Sequence, residues 1–479
     1  MPTLTAILLE SQMTGPLRNA AARAGVELDV FLLHDLDEEA LRRSVRRADA
    51  VFGGVLNLDG PVQRVAAILA EEQPPLVVIF HSQVEALTLT RIGDFDASGP
   101  SWREAVAALR QAGAPLPGLL NVFLAALPQV ESLLPTGQFQ GMRLYARALR
   151  LWQDGSVGAL TALLQLLTGQ SVVPHTPVPL IGLWHPSGGY FTHLREYKTW
   201  YGPGERPAVG VILHRRWVAG ENAAHFAAVI AKLEAQGLAV YAGFSDLDAT
   251  HLLEGFFRPA GVECLLNLIS FNLVGGHGRP DPARAAALLE SFDRPYLCAV
   301  PLVLQTLEQW RASRQGLAPH QTVMQVVMPE LEGGAEPWVY AGTASGADGV
   351  VADAVMAERL ARRVRRWIDL RRAPRAERKV AVTIFSMPPD KGSVGSAAYL
   401  DVFESLWRLL GRLRGAGYRV ELPSGVDELR LLVLGTDGTA SVTVADRLPV
   451  GEYKRLVPEW PRIARCWGPP PGLVDADGR

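Results

Sequence analysis

Three carboxylates lie close together around a Gly-Gly turn in the segment Pro329–Pro337. Glu330, Glu332 and Glu336 fall within seven consecutive residues. Clustered carboxylates provide the oxygen ligands that hard cations such as Mg²⁺ prefer, and they can also accept protons. A solvated acidic loop is the commoner meaning of such a run, and that alternative stays open. We predict Glu330, Glu332 and Glu336 as candidate catalytic residues.

Histidine is the other side chain that could accept protons near neutral pH. The ten histidines include no HExxH pair and no Cys/His cluster with zinc spacing. His225 opens a predicted helix after the segment AGENAA, and His185 lies in the segment GLWHP. A structural role is the commoner one for a single histidine. We predict His225 as a candidate catalytic residue and His185 as a substrate-binding residue.

The segment LVGGHGRP contains three glycines, which allow backbone shapes that other residues resist. It follows the predicted strand Val262–Ile269. Open parallel sheets place their ligands at the carboxyl ends of the strands. We predict Gly275 and Gly276 as ligand-binding residues in this turn, with a flexible surface loop as the alternative.

A second candidate anion site lies in the segment DKGSVGS, between a predicted strand and a predicted helix. Backbone N–H groups at a helix start favour an anionic ligand, although a simple turn explains the segment equally well. The lysine precedes the glycines, which is the wrong order for a phosphate-binding P-loop, and we therefore expect this chain not to bind ATP. The substrate-binding residues predicted here are Asp390, Lys391, Gly392, Gly395 and the nearby Tyr399.

The composition excludes several functional classes. The chain has 479 residues, of which 48% are apolar and 20% charged, and its net charge is −2. This near-neutral charge argues against a nucleic-acid or membrane-surface partner. No apolar run reaches the roughly 20 residues that a membrane span needs, and the N-terminus has no signal-peptide pattern. We predict a cytoplasmic protein with no integral membrane segment.

Arginines concentrate between Arg362 and Arg378, where they are interleaved with Asp369 and Glu377. A solvated helix face is the default interpretation of such a run. A docking surface for an acidic partner subunit is the alternative.

Short buried strands alternate with helices of about ten residues, which predicts an α/β protein. We expect successive doubly wound parallel-sheet (Rossmann-like) domains with a helical segment. Three prolines in Ser171–Pro179 predict an inter-domain connection. The predicted domains are residues 1–170, with a helical second half, residues 180–370, and residues 379–479. The last is predicted as an incomplete, truncated α/β domain that contains the strands Val380–Phe385 and Tyr418–Glu421 and the helix Ala397–Gly415.

Several segments together resemble the large porphyrin-binding (H-type) subunit of magnesium chelatase. They are GLWHP, AGENAAH, Phe271–Pro280, VPLVLQTLEQW, VMPELEGGAEPWVYAG and FSMPPDKGSVGSAAYLDVFE, of which the last is the most specific. The similarity extends over the whole chain. It implies a porphyrin-binding component of chlorophyll and bacteriochlorophyll synthesis. His225 fits the magnesium-type pattern better than that of the related cobaltochelatase large subunit.

The resemblance also implies partners. Members of the family bind protoporphyrin IX and present it for insertion of Mg²⁺, which is a substrate. Two ATPase-type subunits, a small I and a larger D, bind and hydrolyse ATP, so this chain is not expected to act alone. The H-type subunits of the family are more than twice as long, so the chain is expected to be a truncated portion. The alternatives are a non-catalytic tetrapyrrole carrier or regulatory relative, half of a split subunit, and a cobaltochelatase fragment.

Overall fold

The computed structural model of the chain describes ten stretches and a few single positions between them. The stretches are residues 1–9, 11–54, 59–80, 84–97, 139–246, 248–275, 280–344, 349–384, 399–434 and 448–470. The chain divides into two units, Met1–Arg371 and Arg372–Arg479. The first unit contains two separate sheets.

The first sheet has its strands in the order β2-β1-β3-β4-β5-β6. They are β1 (Thr3–Leu8), β2 (Glu27–Leu32), β3 (Ala50–Gly54), β4 (Val77–Phe80), β5 (Arg91–Ile92) and β6 (Phe95–Asp96). The first four are parallel, and β5 and β6 add an antiparallel edge. The chain moves from β1 to β2 on one side and then to β3 on the other. This reversal makes the sheet doubly wound, with its switch point between β1 and β3.

Helices cover this sheet because each presents an apolar face to it. They are α1 (Thr14–Ala24), α2 (Glu38–Arg47), α3 (Asp59–Glu72), α4 (Val84–Leu87), α5 (Gln140–Asp154) and α6 (Val157–Leu167). In α2, Asp37 caps the start by accepting a hydrogen bond from the Ala40 N–H, and Leu41 and Val45 are buried. Nine of the eleven residues of α6 are buried, as expected for a helix that is apolar on nearly all sides.

The second sheet has the order β14-β13-β12-β11-β9-β10-β7-β8. Its strands are β7 (Gly182–His185), β8 (Gly189–Phe191), β9 (Ala208–His214), β10 (Ala239–Ser245), β11 (Cys264–Asn267), β12 (Tyr296–Thr306), β13 (Ala335–Thr343) and β14 (Val350–Ala352). The five central strands, from β13 to β10, are parallel, and the edge strands β14, β7 and β8 are antiparallel. The switch point lies between β9 and β11, the strands on either side of the reversal.

Helices pack on both faces of this sheet. They are α7 (Leu194–Tyr201), α8 (Arg215–Ala219), α9 (Ala224–Ala235), α10 (Thr250–Leu252, Leu253–Phe257 and Arg258–Ala260), α11 (Pro282–Phe292), α12 (Leu307–Ala312), α13 (Pro319–Thr322, Val323–Val327 and Met328–Leu331) and α14 (Ala354–Arg372). One apolar core joins the sheet to α9 and α14, and the other joins it to α7, α10 and α11. This architecture confirms the predicted α/β class with successive doubly wound sheets.

The second unit differs from its sequence prediction. Its described residues form the helices α15 (Val402–Gly415), α16 (Val426–Leu434), α17 (Val450–Leu456) and α18 (Trp460–Trp467). The predicted strand at Tyr418–Glu421 is absent, and residues 380–384 are not a strand either. A strand needs a hydrogen-bonded neighbour, and these short segments have no strand partner among the described residues. The predicted helix at Ala397–Gly415 begins at Val402, because Asp401 caps it by accepting from the Glu404 N–H.

Helix length and polarity also bear on membrane insertion. Among the described residues, no helix is both long enough and apolar enough to cross a bilayer.

Candidate functional site

The carboxyl ends of the two sheets face each other within the first unit. Ser11, which follows β1, lies with its Oγ atom 3.0 Å from Thr343 Oγ1 at the end of β13. The Asn222 amide Nδ2 donates a 2.8 Å hydrogen bond to the carbonyl oxygen of Gln12. We call this contact the seam, comprising residues 11–16, 152–155, 215–222 and 343. Doubly wound sheets bind their ligands at such carboxyl ends, so the seam is the first candidate site.

An indole and a guanidinium stack in the seam. The Trp152 ring lies parallel to the Phe80 ring with 5.2 Å between the centroids, and the Arg216 guanidinium lies 4.1 Å above the indole. Gly54 ends β3 beneath the same indole. A Cβ atom at Gly54 would fall 2.3 Å from the Trp152 ring, so only glycine fits there. The stack therefore depends both on the first sheet with its helix α5 and on α8, which follows β9 of the second sheet.

Arg215 fixes the other side of the seam. Its side chain is 2% exposed. Its guanidinium donates to the carbonyl oxygens of Pro179, Val178 and Asp154 at 2.9, 2.8 and 3.0 Å. These carbonyls belong to the end of α5 and to the connection that precedes β7. A guanidinium can satisfy several acceptors at once, so Arg215 joins the end of α5, the connection and the end of β9.

Three buried polar atoms of the seam have no hydrogen-bond partner within the described part of the chain. They are Gln12 Oε1, Thr14 Oγ1 and Trp152 Nε1. Buried polar groups are nearly always paired in folded proteins, so such exceptions call for an explanation. A ligand that entered an opened seam would find the Trp152 N–H donor, the Gln12 side-chain carbonyl acceptor and the Thr14 hydroxyl, which can donate and accept.

His225 is sealed from solvent at the start of α9. Its ring contacts the rings of Trp217, Phe226 and Tyr340. Neither ring nitrogen has a hydrogen-bond partner among the described residues. Burial lowers the pKa of His225 to about 3, because the charged form would lose its hydration. The imidazole is therefore neutral in this structure, and the catalytic role predicted for it would require this aromatic cluster to open.

Glu332 is the carboxylate best suited to accept a proton near neutral pH. It is 1% exposed, and its Oε2 atom accepts a 2.7 Å hydrogen bond from the Leu273 N–H. Its other oxygen has no partner within the described stretches. Burial raises the pKa of Glu332 to about 7, against the opposing effect of the hydrogen bonds from Leu273 and Val274. The pKa thus lies where proton transfer is most efficient.

Replacing Glu332 with glutamine tests this burial. The folded-state pKa lies above that of an unfolded glutamate, so the folded protein binds the extra proton and loses stability as pH rises from about 4.5 to 7. Between pH 5 and 7.5 the wild type should lose roughly 2 kcal/mol of its free energy of unfolding through Glu332. Glu332→Gln should not show this loss. Urea denaturation at the two pH values measures the difference. The exposed neighbour provides the control, and an equal effect in Glu330→Gln would contradict the assignment.

The structure does not bring the three predicted carboxylates together. Glu330 is exposed, whereas Glu332 points into the core beside Leu273. Glu336 accepts a 2.8 Å hydrogen bond from Arg363 Nη2 on α14. That bond lowers the pKa of Glu336 despite partial burial. The shared catalytic role of the three side chains stays a prediction, and in this conformation only Glu332 combines burial with a free oxygen.

His185 belongs to a separate hydrogen-bonded network at the edge of the second sheet. Its Nδ1 atom accepts from the Ser187 N–H, so the neutral ring carries its proton on Nε2, which lies 3.2 Å from Glu234 Oε1. The Tyr201 hydroxyl donates to the same carboxylate oxygen at 2.7 Å. The network orients His185 in a fixed tautomer, and its substrate-binding role stays a prediction.

The predicted glycine turns are described only in part. Gly275 has a φ of +101°, a conformation that favours glycine, and its N–H donates to the Asp248 carboxylate, which links the loops after β10 and β11. Gly395 also has positive φ, and Tyr399 is fully exposed. The other predicted residues, Gly276, Asp390, Lys391 and Gly392, lie outside the described residues.

A preformed metal site within the described stretches would need several metal-binding side chains close together. There, no group of three or more His, Cys, Asp or Glu side chains is placed to hold a metal ion.

The sequence matches two family descriptions. CobN/Magnesium Chelatase matches residues 150–479, and a domain of unknown function, DUF3479, matches residues 3–145. The chain belongs to the CobN/magnesium chelatase family. The boundary between the two matched regions falls within α5, close to Trp152 in the seam. In this family member the seam therefore joins the DUF3479 region to the CobN/magnesium chelatase region.

Individual relatives agree with this membership. The chain is 32% identical to the chloroplastic magnesium-chelatase subunit ChlH of Oryza sativa subsp. indica, over 98% of this chain and 37% of that protein. It is 30% identical to the H-type magnesium-chelatase subunit of Rhodobacter capsulatus, over 99% of this chain and 44% of that protein. The chain thus spans less than half the length of these curated relatives.

A solved structure shares the fold. The catalytic subunit of cobaltochelatase from Mycobacterium tuberculosis superimposes with a TM-score of 0.56 and 19% identity, over 98% of this chain and 36% of that one. At this identity the likeness extends to the fold alone.

Proposed function

We propose that this family member is the porphyrin-binding part of a magnesium chelatase. In this proposal it presents protoporphyrin IX for ATP-dependent insertion of Mg²⁺ in chlorophyll or bacteriochlorophyll synthesis. The observation that carries the proposal is the 32% identity to a magnesium-chelatase subunit along 98% of the chain. The aerobic cobaltochelatase subunit CobN of Sinorhizobium sp is 28% identical over only 64% of this chain, which favours the magnesium type over the cobalt type.

The side chains of the seam are suited to bind a flat, largely apolar ligand. Trp152, Phe80 and Phe52 supply aromatic faces, and Arg216 supplies a cation that could pair with a carboxylate of the macrocycle. The buried polar atoms without partners would gain hydrogen bonds from such a ligand. Because the seam is closed in this structure, binding would require the two sheets to separate about the connection at residues 170–179, which contains neither helix nor strand.

Metal insertion makes two chemical demands on the site. Mg²⁺ sheds water reluctantly, and two pyrrole N–H groups must lose their protons. Glu332, whose burial raises its pKa to about 7, is proposed to receive a proton at neutral pH, although it lies beside Leu273 and outside the seam, so the site would have to rearrange to bring it to the macrocycle. In our proposal ATP is bound by I- and D-type ATPase subunits and not by this chain.

Titration with protoporphyrin IX tests the proposal. We expect saturable binding, seen as a shift of the porphyrin Soret band and as quenching of tryptophan fluorescence. Trp152→Phe should bind the porphyrin but show a smaller amplitude of quenching, because Trp152 lies in the seam. Trp200→Phe is the matched control, since Trp200 is 43% exposed on α7 and lies outside the seam.

The outcomes separate function from location. A Soret shift with equal quenching amplitudes in both variants would contradict the seam as the binding site and leave porphyrin binding intact. No Soret response would contradict the function itself. Adding I and D subunits, Mg²⁺ and ATP should yield magnesium protoporphyrin fluorescence, whereas binding without metal insertion would favour a carrier.

A further inference from the structure

A basic groove of about 400 Å³ lies between β13 and α14, away from the seam. Its lining consists of four arginines, two tryptophans, a leucine and a single carboxylate: Arg359, Arg362, Arg363, Arg366, Trp338, Trp367, Leu370 and Glu336. On α14 these residues recur at intervals of three and four, so they form one face of the helix. The chain as a whole carries a net charge of −2, which makes this concentration of positive charge local.

Glu336 shows that the groove can bind a carboxylate. Its carboxylate accepts hydrogen bonds from the Arg363 guanidinium and from the Trp367 indole. Glu336 reaches this position through a backbone φ of +56°, which is unfavourable for a residue other than glycine. The pairing of β12 with β13 is irregular at this point, between the pairs Leu297–Ala335 and Ala299–Trp338. The bulge directs an acidic side chain towards the arginines.

The remaining arginines extend beyond the reach of this one carboxylate. Arg362 pairs with Glu358 at 3.1 Å on its own helix, yet its side chain is 62% exposed. The side chain of Arg363, the partner of Glu336, is 47% exposed. Arg359 and Arg366 stand about 10 Å apart along the helix axis, at 1.5 Å per residue. A series of carboxylates on an extended chain matches a row of arginines of this length better than a single small anion does.

The two indoles add an apolar surface to the groove. Trp338 is held by a 3.1 Å hydrogen bond from its Nε1 to the carbonyl oxygen of Met356, and Trp367 is half-buried beside Glu336. Tryptophan and arginine are the side chains most often found at the energetic centres of protein interfaces. Leu370, at the end of the groove, is 47% exposed.

We propose that this groove docks an acidic polypeptide segment, with its carboxylates on the α14 arginines and one apolar or aromatic side chain against Trp338 and Trp367. The proposal does not rest on porphyrin binding. Individual exposed ion pairs contribute little, so binding should depend on several of them together and weaken as salt increases.

Fluorescence anisotropy on the full chain tests the proposal. The probe is a fluorescein-labelled peptide with glutamates flanking one phenylalanine. We expect the double charge reversal Arg362→Glu and Arg366→Glu to weaken binding at least about tenfold, because it replaces attraction with repulsion. The matched control is Arg195→Glu with Arg314→Glu. It makes the same change in net charge at exposed positions outside the groove.

Three results would overturn the proposal: no peptide binding at low salt, equal weakening by the groove and control variants, or displacement of the peptide by citrate at lower concentration than by unlabelled peptide. The last would assign the groove to a small anion. Circular dichroism of both double variants confirms that the fold is kept.

Discussion

His225→Leu is expected to make the protein more resistant to acid than the wild type. The folded-state pKa of His225 lies near 3, far below that of an unfolded histidine. Its contribution to stability is therefore complete above about pH 6.5 and is lost as pH falls towards 3, by up to roughly 5 kcal/mol. Leucine has a similar volume and takes up no proton, so the variant should lack this loss.

Urea denaturation at pH 7.5 and pH 5 measures the effect. Over this interval the wild type should lose roughly 2 kcal/mol through His225 and gain a comparable amount through Glu332, because the two pKa values are shifted in opposite directions. The wild-type stability should therefore change little from these two groups. The free energy of unfolding of His225→Leu should be higher at pH 5 than at pH 7.5, and that of Glu332→Gln should be lower at pH 5 than at pH 7.5. At pH 7.5 we expect His225→Leu to lie within about 1.5 kcal/mol of the wild type.

His251→Leu is the control, since His251 is exposed on α10. If His225→Leu and His251→Leu change the pH dependence of the free energy of unfolding equally, the burial of His225 described above is contradicted.

Arg215→Met should destabilise the first unit by about 3–5 kcal/mol, the magnitude typical of breaking a buried charged network. The substitution keeps an unbranched side chain but leaves the carbonyl oxygens of Pro179, Val178 and Asp154 without their donor. Because Arg215 links α5 to the connection before β7, we also expect the two sheets to separate more readily. Limited proteolysis should then cut faster within residues 170–179, alongside a lower urea midpoint.

Arg195→Met is the matched control, because it removes the same charge from an exposed position on α7. It should change stability by no more than about 0.5 kcal/mol. A similarly small change in Arg215→Met would show that the carbonyls find other partners and that Arg215 does not fasten the seam.

Those parts of the fold that depend on local patterning could be predicted from the amino-acid sequence. Runs such as those of β4 and β9 are apolar at nearly every position, and only a strand buried on both faces accommodates them. Helices such as α2 carry both a capping residue and an amphipathic pattern. The family resemblance likewise came from contiguous segments, because a sequence motif is a run of neighbouring residues and can be recognised without the tertiary structure.

The edge strands of the second sheet could not be predicted from the sequence. The hairpin of β7 and β8 consists of seven strand residues in all, too few for a periodic signal, and it is a strand pair only because β10 offers a free edge. Conversely, the segments 380–384 and 418–421 have a local pattern that predicts strands, but they have no strand neighbour among the described residues.

The candidate site was recoverable only in part. Glu332, His185 and His225 were recognised as residue types that can move protons, but their sequence spacing could not show that they occupy three separate environments. Arg215, Arg216 and Trp152 were missed because each looks like an ordinary helix residue. They become a site only where the carboxyl ends of the two sheets meet. Burial, and with it the opposite pKa shifts of His225 and Glu332, depends on which distant segments of the chain exclude water, and those segments meet only in the folded protein.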